Sequence, residues 1–139
     1  MSLAPANSNE PSPGPMRLLA VDDNSESAEL IARIGTSCGY DTKPIMDPRT
    51  VPEILGDWKP HVVTLDLCMH HKDGFSILAT LQEVGFKGSL IVISAQNDWL
   101  RKAACQLAEV NGIEVTSHLQ KPINLHALRD LLNTIRLIG

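Results

Sequence analysis

Five residues able to bind a cation, an anion or a phosphorus atom stand at the carboxyl ends of four apolar runs. Leu18-Leu19-Ala20-Val21 ends in Asp22-Asp23, and His61-Val62-Val63-Thr64-Leu65 ends in Asp66. Leu90-Ile91-Val92-Ile93 ends in Ser94-Ala95, and the run from Val115 to Gln120 ends in Lys121-Pro122. In an open parallel sheet, ligands bind outside the carboxyl ends of the strands, at the switch point. If these runs are strands, three carboxylates, a hydroxyl and an ammonium converge there. Such a pocket can hold a divalent cation and an anion, with one carboxylate left to act as nucleophile. Three clustered carboxylates repel one another, so at least one should have a raised pKa without a cation.

The segments between the runs must then bring those ends together. Met16 to Val21 reads as the first strand. Asn24 or Ser25 can cap a helix to about Ser37, with Ala28, Ile31, Ala32 and Ile34 on its apolar face. Gly39 closes it. Tyr40 to Ile45 reads as a second strand, at a sheet edge because Pro44 cannot donate to a ladder. A short helix from Val51 to Trp58 ends at Lys59-Pro60, before a third strand from Val62 to Leu65 that is buried on both faces. Gly74 opens a helix through Glu83 with Phe75, Leu78 and Leu81 inward, and Gly85 and Gly88 bracket the turn into strand four, Leu90 to Ile93. Asp98 caps a helix from Trp99 to about Val110, and Asn111-Gly112 ends it. Strand five lies between Val115 and Leu119. Asn124 caps a last helix, striped by Leu125, Leu128, Leu131, Leu132 and Ile135. Strands and helices that alternate in this way predict an α/β fold with a five-stranded parallel sheet and five helices on its two faces. Right-handed crossovers and the proline-bearing edge strand favour the flavodoxin-like order 2-1-3-4-5.

Composition narrows the function classes. The chain has 139 residues and a formal net charge of −4, which suits one ordinary globular domain and gives no reason to expect nucleic-acid or anionic-membrane binding. No apolar stretch is long enough to span a bilayer, and the N-terminus lacks the apolar core of a signal peptide, so the expected location is cytoplasmic. Residues 1–15, rich in Pro, Ser and Asn, read as a disordered tail, and residues 16–139 as the folded domain. Cys38, Cys68 and Cys105 are odd in number and widely spaced, as buried thiols rather than a disulfide framework would be. Cys68, His70 and His71 do not have the spacing of a structural zinc site.

Val21-Asp22-Asp23, Leu65-Asp66 with Met69 and Asp73-Gly74 downstream, Ser94-Ala95 and Lys121-Pro122 come in a fixed order at strand ends. In this the chain from Met16 to Gly139 resembles the receiver domain of two-component response regulators. The resemblance implies a signalling module rather than an enzyme, with Asp66 as the phosphoacceptor for a histidine kinase or a histidine phosphotransfer protein. It implies Mg2+ as cofactor, bound directly by Asp23, Asp66 and the backbone carbonyl of Cys68, with Asp22 acting through water. Ser94, the backbone amide of Ala95 and Lys121 would take the phosphoryl oxygens. Pro122 would follow a cis peptide bond, and Ser94 with His118 would form the switch that answers phosphorylation. The face made by the helix Trp99 to Val110, strand five and the last helix would meet partners. The resemblance leaves open whether a phosphorylation-dependent homodimer forms there.

Three positions depart from the family pattern. His70 replaces the usual Pro, Lys72 the usual apolar residue before Asp73-Gly74, and His118 the usual Tyr or Phe of the switch. An imidazole can fill the same hollow as an aromatic ring, but it titrates near neutral pH. The connection from Glu109 to Ser117, followed by Leu-Gln-Lys-Pro-Ile, resembles receivers attached to cyclic-di-GMP phosphodiesterase domains, which implies a receiver cut from a longer regulator. Two other readings compete. A degenerate receiver would act only through protein contacts. A small aspartyl-phosphate phosphohydrolase would resemble the haloacid dehalogenase group, whose nucleophile comes first, in an Asp-x-Asp motif, and whose acidic pair comes last. Here the acidic pair comes first.

Overall fold

The computed structural model describes residues 14–67, 71–95 and 99–138. Along the chain run β1 (Arg17–Val21), α1 (Ser25–Ser37), β2 (Asp41–Ile45), α2 (Val51–Asp57) and β3 (Val62–Asp66). They are followed by α3 (His71–Glu83), β4 (Ser89–Ser94), α4 (Trp99–Val110), β5 (Val115–Gln120) and α5 (Leu125–Ile138). Every neighbouring strand pair is parallel, and the sheet order is β2-β1-β3-β4-β5, the flavodoxin-like arrangement the alternation requires.

The sheet is covered on both faces, each with its own apolar layer. Leu19, Val21, Val63, Leu65, Leu90 and Val92 face α2, α3 and α4, meeting Leu55, Leu78, Leu81 and Ala104. The alternate residues Leu18, Ala20, Val62, Ile91 and Ile93 face α1 and α5, meeting Ile31, Ile34, Leu128 and Leu132. Each fully buried Leu or Ile contributes about 1.5–3 kcal/mol, so the central strands are the most strongly held part of the molecule. Their carboxyl ends inherit that rigidity.

Local chemistry sets the helix boundaries. Asn24 Oδ1 accepts the Ser27 N–H at 3.0 Å, and Asn124 Oδ1 accepts the Ala127 N–H at 3.1 Å. Gly39 ends α1 at φ +94, a conformation that costs a Cβ-bearing residue strain. Arg136, near the end of α5, donates to the Cys38 carbonyl at 2.6 Å and so ties the end of α1 to α5. On β2 the Asp41 N–H donates to the Met16 carbonyl, so alternation puts Pro44 on the open edge, where a missing donor costs nothing.

The structure corrects some expectations. α3 starts at His71 instead of Gly74, so Gly74 sits buried within the first turn, where the roughly 1 kcal/mol helix penalty of a glycine is tolerated. Leu125 does not join the buried stripe of α5. It opens the helix, borders a hollow beside Lys121 and is 38% exposed, leaving Leu128, Leu132 and Ile135 as the buried stripe with Leu131 half-buried against the same core. Of the cysteines, Cys38 is buried and Cys105 half-buried, while Cys68 lies outside the described residues. So do residues 1–13 of the expected tail, His70 and the expected cap Asp98.

Candidate functional site

β1 and β3 are adjacent and in register, Val21 opposite Leu65, so the residues that follow, Asp22 and Asp66, emerge side by side. Both are completely or almost completely buried, whereas Asp23 is exposed. Carboxylate oxygens of Asp22, Asp23 and Asp66 all lie within 4.8 Å of one another. Strand alternation puts Asp22, Asp66 and Lys121 on the α1/α5 side of the sheet. The Lys121 ammonium donates to Asp66 Oδ2 at 2.9 Å and lies 3.7 Å from Asp22 Oδ2.

Asp22 carries the electrostatic strain of the cluster. Its Oδ1 accepts the Asn24 N–H at 2.9 Å, but its buried Oδ2 receives no hydrogen bond among the described residues. Burial pushes its carboxyl up to about 6, and the adjoining Asp66 carboxyl pushes the same way. The Asn24 N–H and the Lys121 ammonium pull it down without compensating. The sequence led to a raised carboxylate here through repulsion, but desolvation is the larger cause.

Ser94 ends β4, completely buried, and its hydroxyl has no partner among the described residues. Asp66 pairs with Ile93, the residue before it, and the Lys121 N–H donates to the Ser94 carbonyl at 2.8 Å. Ala95 follows, exposed. The Lys121–Pro122 bond is cis. Ser94 therefore stands on the strand between those that carry Asp66 and Lys121.

His118 is not part of this cluster. It lies on β5 opposite Val92, with an exposed side chain. The Cys68 carbonyl falls outside the described residues. Two groups next to the site went unnoticed in the sequence. The Asn24 N–H orients Asp22, a contact that any residue two after an aspartate can make. Thr64, two residues before Asp66 on β3, is completely buried with a hydroxyl that has no partner among the described residues, and a lone polar residue inside an apolar run was the available signal.

The arrangement pairs a buried carboxylate with a cation and places two further carboxylates within reach of one metal ion. Hard oxygen donors with a negative surplus suit a small divalent cation such as magnesium, and the unsatisfied Asp22 Oδ2 is an acceptor such an ion or its water can use.

The family model described as "Response regulator receiver domain" matches residues 18–133. Response regulator MprA from Mycolicibacterium vanbaalenii is 27% identical over 124 residues, which cover 88% of this chain and 49% of that protein. Response regulator RR06 from Streptococcus pneumoniae is 31% identical over 112 residues, 79% of this chain and 48% of that protein. The chain thus spans about half the length of the curated relatives it matches. Among solved structures, a response regulator from Colwellia psychrerythraea superposes with a TM-score of 0.80 at 27% identity, over 89% of this chain and 98% of the other. With the fold, the order of the strand-end residues and the match all in agreement, the chain belongs to the response regulator receiver domain family.

Proposed function

We propose that Asp66 accepts a phosphoryl group from the phosphohistidine of a histidine kinase or phosphotransfer protein. The observation that carries this reading is the buried Asp66 carboxylate 2.9 Å from the Lys121 ammonium, with Asp22 and Asp23 oxygens beside it. An Asp66 oxygen forms the bond to phosphorus while the bond from phosphorus to the imidazole nitrogen breaks, and the freed imidazole stays on the donor protein. The product is an acyl phosphate on Asp66.

The chain's own groups divide the work. Lys121 neutralises one phosphoryl oxygen, and its contact with Asp22 keeps it in the pocket. The Ser94 hydroxyl and the Ala95 amide donate to the other phosphoryl oxygens. When bound, magnesium would be held by Asp23, Asp66 and the Cys68 carbonyl, with Asp22 acting through water, and would supply positive charge that offsets the charge of the incoming group. Phosphorylation adds about −1.5 to −2 charges and three strong acceptors, which draws Ser94 inward and lets His118 move into the space behind it. That movement changes the face of α4, β5 and α5 toward an output segment or a second copy.

An apolar hollow of about 300 Å³ beside the site, bordered by Leu30, Lys121, Pro122 and Leu125, is where the donor protein would rest. The matched relatives are about twice the length of this chain, which supports an output domain on the full regulator. The cyclic-di-GMP phosphodiesterase type suggested by the β5 region remains the proposal for it.

Borohydride trapping tests the assignment. Protein treated with a small phosphodonor and magnesium, then reduced and digested, should yield homoserine at position 66. Homoserine at position 22 or 23 moves the phosphoacceptor. A protein that turns over unrelated phosphate esters many times is a hydrolase instead, and one that is never modified is a degenerate module.

A further inference from the structure

α4 carries apolar residues on the side that faces away from the sheet. Ala104 and Ala108 are completely buried and fix the inner side of the helix. Nearly opposite them stand Trp99, 73% exposed, and Val110, 83% exposed. Two large apolar side chains left this open on one stripe of a small domain point to an interaction surface. Between them lie Ala103, half-buried, and Gln106, exposed. Trp99, Ala103, Gln106 and Val110 follow one another at steps of four, three and four residues. That is the spacing of a seam along which one helix packs against another.

The pattern also says what the second helix is. Steps of four, three and four read the same from either end, so the seam fits an antiparallel copy of itself. In such a pair Trp99 meets Val110 of the second copy and Gln106 meets its Ala103, a large side chain against a smaller one each time. The contact repeats by two-fold symmetry, as an isologous interface requires. The charges agree. Lys102 and Glu109 lie along the same edge of the seam, both exposed, and neither makes an ion pair among the described residues. The two-fold axis keeps that edge on one side, so Lys102 of each copy faces Glu109 of the other. At the helical rise per residue the two stand about 3 Å apart along the axis, within reach of two flexible side chains. A parallel copy turns this edge away from its counterpart and forms neither pair.

We propose that two copies of this chain associate through α4, antiparallel along this seam, with Lys102 and Glu109 paired across it. Leu107, also exposed, adds apolar area on the other edge. The stripe is exposed with Asp66 unmodified, so the pairing needs no phosphoryl group and does not depend on the reading of Asp66. A contact made by one helix of each copy is smaller than a standard interface. The dimer is therefore weak, with a Kd of about 100 μM.

Sedimentation equilibrium of the full chain without phosphodonor, over about 5–500 μM, reads the association directly. Trp99→Ser removes the largest side chain of the seam and should weaken it about tenfold or more, with an unchanged urea midpoint because the residue is exposed. Lys102→Glu and Glu109→Lys each bring like charges together twice per dimer, and each should weaken it about fivefold. An equimolar mixture of those two variants should associate at least as tightly as the wild type, because both crossed pairs are again opposite in sign. A chain that stays monomeric throughout leaves this face to a different partner and overturns the proposal. Undiminished association of Trp99→Ser, or a mixture no tighter than its components alone, overturns it as well.

Discussion

The backbone N–H of Lys121 donates to the carbonyl of Ser94 at 2.8 Å, so the residues that end β5 and β4 are tied before either side chain acts. The lysine thereby reaches Asp66 from a fixed base, although 55 residues separate the two in sequence. Most of what can be tested about this chain follows from that arrangement.

Replacing Asp23 by Asn removes a formal charge from the oxygen cluster while leaving its size. Magnesium affinity should fall about tenfold or more, a cost of roughly 1.4 kcal/mol. Calorimetric titration checks this, and unchanged affinity would remove Asp23 from the ligand set.

Lys121→Met should destabilise the metal-free protein by about 1–3 kcal/mol in urea, because it leaves the buried Asp66 and Asp22 carboxyls without their cation. The lower part of that range is expected, since the lysine side chain is 29% exposed and partly screened by solvent. Added magnesium should restore more stability to this variant than to the wild type.

The raised carboxyl of Asp22 has a definite sign in stability. Folding holds its pKa near 6, above the ordinary value of 3.8, so the native chain binds more protons than the unfolded chain between those limits. Stability from this group is present below the unfolded value and is lost as pH rises through about 6. Thermal melts of the metal-free protein should therefore show the wild type gaining on Asp22→Asn as pH falls from 7 to 4. The comparison with the variant cancels His61, whose lowered pKa acts in the opposite direction.

Two glycine substitutions should move stability in opposite directions. Gly56→Ala, inside α2 with open space around the new Cβ, should stabilise by up to about 1 kcal/mol. Gly88→Ala drives a Cβ against the His61 carbonyl and should cost about 2 kcal/mol or more. Denaturant midpoints of the pair decide both.

The sheet was legible because the central strands are buried on both faces and so read as apolar runs interrupted only by Thr64, and because Pro44 marks an edge. The caps at Asn24 and Asn124 were legible for a local reason, a side-chain oxygen three residues before an N–H. The start of α3 was not, since Gly74 reads as a helix opener although a helix tolerates a glycine in its first turn at a cost of about 1 kcal/mol. The meeting of Asp22, Asp23, Asp66 and Lys121 follows from strand order alone. The unequal burial of Asp22 and Asp23 could not be read from two adjacent aspartates, because it depends on which side of the sheet each one leaves. The bulge at Thr116 left no mark in the sequence either, for a run of strand-formers reads the same with one residue too many.

The central claim is that Asp66 accepts phosphate with help from the groups around it. Intact mass after incubation with acetyl phosphate and magnesium tests it most directly. The account predicts a gain of one labile phosphoryl group, absent in Asp66→Ala and absent when the metal is chelated. An equal gain in Asp66→Ala, or no gain in the wild type, would contradict it.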